Sequence, residues 1–272
     1  MAGETAHDER FRLRLRYGKQ GRLRYLGHLD LMRTLERTIR RAGLPYALTQ
    51  GFNQRMKAAY SAALPVGASS EHEYLDLWLT RIVPADEALA ALQAATEPDV
   101  PFHDAAYVPL RSAALQAWLD LCQWTVTLET EADEQDIVAA WQRLVRQGWF
   151  EFRRGAKLKR CDLERTLLSI SGGTRDGHLV VPGPDGSLPD TASWPRLPCR
   201  LTLMTRSSNE GSLRPEAFVR AMWETPELSG SPAPGLSVVR DGQWHEEEDG
   251  SLTSPFDRAP AASAFRERAG TA

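Results

Sequence analysis

The segment Phe11–Gly43, "FRLRLRYGKQGRLRYLGHLDLMRTLERTIRRAG", decides the fold of the N-terminal part of the chain. Its first seven residues alternate apolar and basic side chains, which is the pattern of a β-strand with one buried face. From about His28 to Ala42 the apolar residues recur at helical spacing instead, and Gly43 followed by Pro45 marks a helix stop. The segment therefore predicts a strand, a turn and an amphipathic helix.

The sequence after Gly43 extends this pair to a β-α-β-β-α-β order. Here "YALTQGF" (46–52) and "EHEYLDLWLT" (71–80) are predicted strands, "PADEALAALQAAT" (84–96) is a predicted helix, and "FHDAAYVPL" (102–110) is the closing strand. A similar order follows in "QWTVTLET", "DEQDIVAAWQRLVRQG", "WFEFRR", "CRLTLMT", "RPEAFVRAMWE" and "GLSVVR". This is the order of ferredoxin-like units. The sequence therefore predicts an α+β protein with two ferredoxin-like βαββαβ units in tandem.

The predicted domain boundaries follow from these elements. We expect an N-terminal ferredoxin-like domain at residues 10–115 and a C-terminal one at residues 120–248. The turn-rich stretch at about 155–198 is predicted to be a hairpin and loop region inserted into the second domain. Residues 1–9 and 249–272 are predicted to be flexible tails.

The distribution of charge points to an anionic partner. The chain carries a formal net charge of −3, yet residues 10–57 hold thirteen Lys or Arg residues against only Asp30 and Glu36, a balance of +11. Clustered basic side chains concentrate polyanions, whereas an overall pI near 6.1 argues against a basic coat over the whole surface. No apolar run approaches the roughly eighteen residues of a membrane span, and the first residues lack the apolar core of a signal peptide. We therefore expect a cytoplasmic protein without a membrane partner.

Metal and cofactor chemistry is not predicted. The three cysteines, Cys122, Cys161 and Cys199, lack the close CxxC spacing of zinc and iron–sulfur sites and are interpreted as reduced structural thiols. The sequence also contains no P-loop, GxGxxG, GxSxG or HExxH motif. We expect no metal and no cofactor, and the sequence favours a non-catalytic accessory over an enzyme.

Two neighbouring segments are candidates for binding nucleic acid. Four arginines of the predicted helix recur at i, i+4, i+7 and i+8 and share the face opposite the apolar stripe, where planar guanidinium groups suit phosphate oxygens. The loop "QGFNQRMKAAY" (50–60) adds aromatic, polar and cationic side chains, a composition that suits unstacked RNA bases. The predicted nucleic-acid-binding residues are Arg22, Arg24, Arg33, Arg37, Arg40, Arg41, Phe52, Asn53, Arg55 and Lys57.

Each of these segments has a plainer interpretation that the sequence leaves open. The helix could be an ordinary solvated one whose arginines pair with acids elsewhere, and Phe52 and Tyr60 could anchor the loop in the core. Arg12, Arg14 and Arg16 of the first strand are at i, i+2 and i+4, so they share one face and are predicted to add to the basic surface. The cluster "RRGAKLKR" (153–160) would either extend that surface or form a solvated turn.

His28 is the one candidate catalytic residue. His28 and Asp30 are two residues apart, and a helix turns by about 100° per residue, so the two side chains cannot share a helical face. Asp30 is explained as a first-turn acid that the helix dipole stabilises. A histidine beside a guanidinium cluster could act as general base toward a ribose 2′-hydroxyl, which defines a first alternative, a metal-independent ribonuclease. A second alternative is a protein-interaction module that docks an acidic partner surface.

The motifs of this region are also those of a known family. They are "RLRYLGHLDLMR", "RRAGLP", "GFNQRMK", "LPVG" and the acids Glu73 and Asp76, and over residues 10–80 the chain resembles the bacterial radical SAM-associated domain family of unknown function. Gln54 and Met56 depart from it, since the family usually has prolines there. The resemblance implies an accessory to a radical SAM protein, a class that often carries a cobalamin-binding domain. With the basic helix, it predicts an accessory that presents structured RNA, ribosomal or transfer, to a radical SAM modifying enzyme.

Overall fold

A computed structural model of the 272-residue chain gives the fold. The structure describes residues 10–175, 198–208 and 211–257. The predicted tail at 1–9, most of the predicted tail at 249–272 and the loop at 176–197 lie outside these residues. No helix of the described part is long and apolar enough to cross a membrane.

The chain divides into two compact units. Unit 1 consists of residues 1–122 together with 240–272, and unit 2 consists of residues 123–239. Unit 2 is thus inserted, in sequence, between two parts of unit 1. The C-terminal part of unit 1 contains the end of a long strand from Arg240 onward and the segment that follows it.

Unit 1 has the ferredoxin-like arrangement. In chain order, its elements are β1 (Phe11–Lys19), a 3-10 helix (Gly21–Tyr25), α1 (His28–Arg41), β2 (Ala58–Tyr60), β3 (Ser69–Leu79), α2 (Ala85–Ala95), β4 (Phe102–Val108) and α3 (Leu115–Trp118). The strands lie in the order β4-β1-β3-β2, and all neighbouring strands are antiparallel. This strand order, with α1 and α2 as the two crossover helices, confirms the predicted topology.

The two faces of β1 are buried in different ways. Leu13 and Leu15 are fully buried in the core that α1 and α2 cover. Arg12 and Arg14 point to the other face, yet they are only 4% and 5% exposed. The interpretation of these two arginines as part of an exposed basic surface is therefore wrong. The third strand arginine, Arg16, is half-buried and pairs with a carboxylate of β4.

The second strand of unit 1 lies later in the sequence than its pattern indicated. The stretch "YALTQGF" forms only isolated bridges at Tyr46 and Leu48, because the chain turns away at Gly51, where φ is +125°. The edge strand is β2, which pairs with the C-terminal half of β3. With only three residues, "AAY", β2 is too short to show an alternating pattern.

Unit 2 repeats the same order with an added hairpin. Its elements are β5 (Leu121–Glu129), α4 (Glu134–Gln147), β6 (Trp149–Arg154), β7 (Lys157–Asp162), α5 (Leu163–Thr166), β8 (Leu167–Arg175), β9 (Cys199–Ser208), β10 (Gly211–Ser212), α6 (Pro215–Trp223) and β11 (Gly235–Glu246). Within this unit the order is β11-β5-β9-β8, with β10 also paired to β9. A last short strand, β12 (Leu252–Thr253), pairs with the end of β11 in unit 1. The protein is an α+β protein with mostly antiparallel pairing.

Local signals explain where α4 and its neighbours begin and end. The Asp133 carboxylate accepts a hydrogen bond from the Gln135 amide at 2.8 Å and caps the helix, and Gly148 ends it in the left-handed conformation. The following strand, β6, pairs only with β7 in a separate two-stranded sheet. The second strand of the unit's main sheet is instead β8. Hydrophobic alternation in "WFEFRR" indicated a strand correctly, but it carries no information about the pairing partner.

Candidate nucleic-acid interface

The exposed surface of α1 carries four arginines within an arc of about 100°, given 100° of rotation per residue. We call this surface the basic face. It consists of Arg33, Arg37, Arg40 and Arg41, and it lies opposite the buried residues of the helix. The Arg33 side chain is 71% exposed, and those of Arg40 and Arg41 are 51% and 50% exposed. The predicted guanidinium face is thus present on the surface of unit 1.

Three of these arginines have only weak local partners. Arg33 lies 3.1 Å from Asp30 and Arg40 lies 3.4 Å from Glu36, both within the helix. Exposed pairs of this kind contribute about 0.3–0.5 kcal/mol each, since solvent screens them and ordering the side chains costs entropy. Arg37 donates from Nε to the Arg33 carbonyl at 3.2 Å. None of these contacts would prevent the guanidinium groups from binding phosphate.

Arg41 has a structural role as well. Its Nε and Nη2 donate to the Ala95 carbonyl at 3.1 and 2.8 Å, and Nη2 lies 3.7 Å from Glu97. Ala95 is the last residue of α2, so Arg41 satisfies a carbonyl that the helix leaves without an internal partner. The fourth arginine of the basic face therefore also joins α1 to α2.

Arg22 and Arg24 lie before α1, in the 3-10 helix. Arg24 is half-buried, its guanidinium lies 4.8 Å from the centroid of the Tyr25 ring, and its Nη2 donates to the Tyr25 hydroxyl at 2.7 Å. Arg22 is exposed, and its backbone amide donates to Asp99 at 2.7 Å. The Tyr25 side chain is 60% exposed, which adds an aromatic surface that the sequence analysis did not single out.

The two ends of α1 present different groups. A 14-residue helix is about 20 Å long at 1.5 Å per residue, so His28 lies about that far from Arg41 along the helix axis. Arg24 precedes the first end, whereas the loop at 50–57 follows the second end after a short connection. The candidate site therefore consists of the exposed face of α1 and of the loop that follows this helix in the sequence.

The loop projects one aromatic ring entirely into solvent. Phe52 is fully exposed, so the interpretation that it anchors the loop in the core is wrong. Asn53 and Arg55 are also exposed, whereas Met56 is 5% exposed and is the residue that packs into the core. The ends of the loop are joined by a hydrogen bond from the Thr49 amide to the Arg55 carbonyl at 2.8 Å.

Lys57 and Tyr60, at the end of the segment, are half-buried and make contacts within the protein. The Lys57 Nζ lies 5.1 Å from the centroid of the Trp78 ring and the side chain is half-buried, so Lys57 is less available than its sequence position suggests. Tyr60 is half-buried in β2. Below the loop lies an open groove of about 460 Å³, lined in part by Arg10, Tyr46, Leu48, Gln50 and Gln54.

His28 is exposed at the first residue of α1. Its ring lies edge-on to Tyr60, with centroids 6.1 Å apart. Partial burial, and then the nearby charge of Lys19, lower the pKa of His28, so the imidazole is neutral at neutral pH. Among the described residues, no carboxylate is hydrogen-bonded to His28. The site thus lacks the group that orients the imidazole in most histidine-based active sites.

A buried charge cluster fixes the turn that leads into α1. Lys19, Glu73 and Arg240 are each no more than 2% exposed. Arg240 Nη1 donates to both Glu73 carboxylate oxygens at 3.2 and 3.3 Å, and Lys19 Nζ donates to the Leu26 carbonyl at 2.9 Å. Burial raises the pKa of Glu73, while the charges of Arg240 and Lys19 oppose that rise. Because Leu26 stands two residues before His28, the cluster positions the start of α1.

Asp76 holds the two buried arginines of β1. Its Oδ2 accepts from Arg12 Nε and Nη2 at 2.9 and 2.6 Å, and its two oxygens accept from Arg14 Nε and Nη2 at 2.7 and 3.0 Å. Glu73 and Asp76, the two acids of the family motif, therefore both serve the interior of unit 1. Sequence reasoning gave neither acid a role, although a charged residue within an apolar strand is the signal that marks both.

The matched family covers most of these elements. The model of the DUF2344 family, described as "Uncharacterized protein conserved in bacteria", matches residues 12–215, a span that includes β1 from its second residue, α1, the loop, Glu73 and Asp76. The chain belongs to this family. No curated protein matches the chain.

Two solved structures are distantly similar to the chain. One is a chain of the "Crystal Structure of a Cbf5-Nop10-Gar1 Complex", at 10% identity and a TM-score of 0.42, with 96% of this chain and 57% of that chain covered. The other is the "Crystal structure of putative glycine cleavage system transcriptional repressor", at 8% identity and a TM-score of 0.22, with 85% and 99% covered. The chain thus spans little more than half of the first.

Proposed function

We propose that this protein binds structured RNA through the basic face of α1 and the loop at 50–57, and that it presents this RNA to a radical SAM modifying enzyme. The observation that carries the proposal is the combination of exposed, weakly paired guanidinium groups with the fully exposed ring of Phe52. Guanidinium groups bind the phosphate backbone, whereas an exposed ring can stack on an unpaired base. The radical SAM partner comes from the family resemblance, not from the site itself.

The electrostatics favour a polyanion over a single acidic side chain. The two ion pairs on the basic face lie within the helix and their arginines are exposed, so phosphate groups can replace the carboxylates at small cost. Neutralising phosphates releases counterions, and this release makes the affinity fall steeply with salt. The buried pairs of Arg12 and Arg14 take no part, because Asp76 already neutralises them in the interior.

The test is a double variant, Arg37→Gln with Arg40→Gln, which removes two charges and keeps most of each side-chain stem. We expect the slope of log affinity against log salt to fall by about 1.4–1.8, since each phosphate contact contributes about 0.7–0.9. The measurement is the dissociation constant for a structured RNA at several KCl concentrations.

A matched control exists in unit 2. Arg146 and Arg220 are also exposed arginines in the last turns of helices, and Arg146→Gln with Arg220→Gln removes the same charge elsewhere. This control should leave the slope unchanged. An unaltered affinity and slope in the Arg37 and Arg40 double variant would refute RNA binding by the basic face.

Co-purification with a radical SAM protein tests the second half of the proposal. We expect the complex to survive nuclease treatment and to form with the Arg37 and Arg40 double variant, because the basic face is assigned to RNA. If the double variant fails to co-purify after nuclease treatment, the arginines dock a protein surface instead. If no radical SAM protein is retained, the accessory role is wrong.

One observation favours a second candidate, a metal-independent ribonuclease. His28 is exposed at the N-terminal end of α1, and its lowered pKa leaves the imidazole in the neutral form that accepts a proton. Incubating RNA with the purified protein in EDTA distinguishes the two functions. Intact RNA is expected from the binding proposal, whereas cleavage that His28→Ala abolishes would establish the ribonuclease.

A further inference from the structure

Unit 2 contains a basic pocket that plays no part in the proposed interface on α1. It lies between the β6-β7 hairpin, α5 and the segment from β10 to the start of α6, and its volume is about 260 Å³. The cations that line it are Arg154, Lys159, Arg160, Arg165 and Arg214. Arg154 and Lys159 belong to the basic cluster at 153–160, which the sequence alone left between a binding surface and a solvated turn.

The register of the hairpin explains how this pocket forms. Phe152 lies opposite Lys159 and Phe150 lies opposite Cys161, so these four residues share one face of the two-stranded sheet. The inner part of this face is buried against α6, where the Phe150 ring packs edge-on to Phe218 at 5.9 Å. Lys159 therefore lies beside the apolar ring of Phe152 at the pocket, and its side chain is exposed.

The neighbouring cation of the hairpin is used differently. Arg160 lies on the other face, and its guanidinium is 4.3 Å from the centroid of the Trp149 ring. Arg160 nevertheless lines the pocket together with Arg154 and Lys159, so it stacks on Trp149 and also adds positive charge to the pocket.

The pocket has more positive than negative charge. Among the described residues that line it, Asp162 is the one carboxylate, and it is occupied by Arg165, from which it accepts a backbone hydrogen bond at 3.2 Å and whose Nε lies 3.7 Å away. In the described part of the chain, no acidic side chain lies within 4.0 Å of the charged groups of Arg154, Lys159 or Arg214. Burial raises the pKa of the Cys161 thiol, so this group adds no negative charge.

We propose that this pocket binds the phosphate group of a phosphate ester. Lys159 and Arg214, from opposite sides, would hold the phosphate oxygens, with Arg154 and Arg165 adding charge, and the exposed part of Phe152 would contact the organic part of the ester. An anion removes the mutual repulsion of these cations, and several converging donors give a phosphate both affinity and orientation. The inference does not depend on RNA binding by α1.

The same chemistry is found in a free nucleotide and in a backbone phosphate of RNA. The probes are therefore inorganic phosphate, AMP and a short single-stranded RNA, each titrated calorimetrically into the full-length protein. Because Phe152 contributes an apolar wall, AMP should bind more tightly than inorganic phosphate. The affinity of each probe is measured for the wild type and for two double variants.

The test variant is Lys159→Gln with Arg214→Gln. The matched control is Arg153→Gln with Lys157→Gln, two exposed cations of the same hairpin that do not line the pocket. Losing two charged donors should weaken AMP binding at least about tenfold, because one hydrogen bond to a charged group is already worth this factor. The control should bind as wild type does, and thermal melting of all three proteins verifies that the fold is kept.

The outcomes separate the sources and can overturn the inference. Weaker AMP binding with unchanged RNA affinity identifies a site for a free nucleotide. Weaker RNA binding, in a protein whose wild type does not bind AMP, identifies a backbone phosphate site. If wild type binds none of the three probes, or if the test variant binds them all as wild type does, the pocket is not a phosphate site. The Arg37 and Arg40 double variant tests RNA binding by α1 separately, so either proposal can fail alone.

Discussion

Replacing Asp76 with asparagine should be among the most damaging conservative changes in unit 1. The carboxylate is fully buried and accepts four hydrogen bonds from Arg12 and Arg14, themselves 4% and 5% exposed. Asparagine has nearly the same shape, so packing is preserved. What changes is the charge, because two guanidinium groups are left in the interior without their shared anion.

The expected cost follows from the residual partners of the two arginines. Breaking a buried ion pair by removing one partner costs about 3–5 kcal/mol, since the remaining charge stays desolvated. Here Arg12 keeps the carbonyls of Ser112 and Ala113, and Arg14 keeps that of Pro255. These carbonyls soften the loss, so we expect the lower end of the range, about 3 kcal/mol.

Urea unfolding measures this free energy. The indole NMR signal of Trp78 is a suitable probe because Arg12 lies 5.0 Å from its ring centroid, and so the signal reports on unit 1. The control is Asp104→Asn, which removes the partner of Arg16 on the same strand, where the two side chains are 27% and 46% exposed. It should cost less than about 1 kcal/mol. A loss below about 1 kcal/mol in Asp76→Asn as well would show that the buried arginines do not depend on this carboxylate.

Three further changes have clear expected results. Phe52→Ala should leave the melting temperature unchanged, since the ring is fully exposed, yet weaken binding of single-stranded RNA; a drop in melting temperature would show that the ring packs after all. An NMR titration should give His28 a pKa below the usual 6.5. The unfolded state then binds more protons than the folded state, so His28 lowers the free energy of unfolding as the pH falls through 6.5. His28→Gln should remove this dependence of stability on pH. A hydrogen bond from Arg143 lowers the pKa of Glu227 to about 2, so the stability that this pair contributes is lost as the pH falls from about 4.5 toward 2. Arg143→Gln should return the pKa of Glu227 toward 4.5. An unchanged pKa in this variant would mean that the pair is not formed in solution.

Sequence patterns correctly predicted the features that depend on the periodicity of neighbouring residues. The bounds of α1, its stop at Gly43 and the placing of four arginines on one face all follow from residues within one helix. The alternation in β1 was also correct, but period two cannot distinguish a solvated arginine from one that a buried carboxylate neutralises. The partner that decides this for Arg14 is Asp76, 62 residues later.

Long-range pairing is what sequence patterns could not supply. The ion-pair partner of Glu73 is Arg240, 167 residues away. Likewise, β6 and β8 both have the composition of strands, although only β8 joins the main sheet. Phe52 illustrates the same limit at a single residue. An aromatic ring beside Met56 could have packed in the core or projected from the loop, and only the folded loop shows which of the two is inside.

The insertion of unit 2 within unit 1 has a consequence for how the protein is made. A chain released after residue 122 would hold β1, α1 and β3 but would lack Arg240 and the Pro255 carbonyl, so Glu73 and Arg14 would be buried without these partners. During synthesis, unit 2 emerges whole and can fold while unit 1 still waits for its last strand. Unit 1 is thus the first to begin emerging and the last to be complete. The Glu73–Arg240 ion pair beneath the turn that leads into α1 can form only after residue 240 has been synthesised.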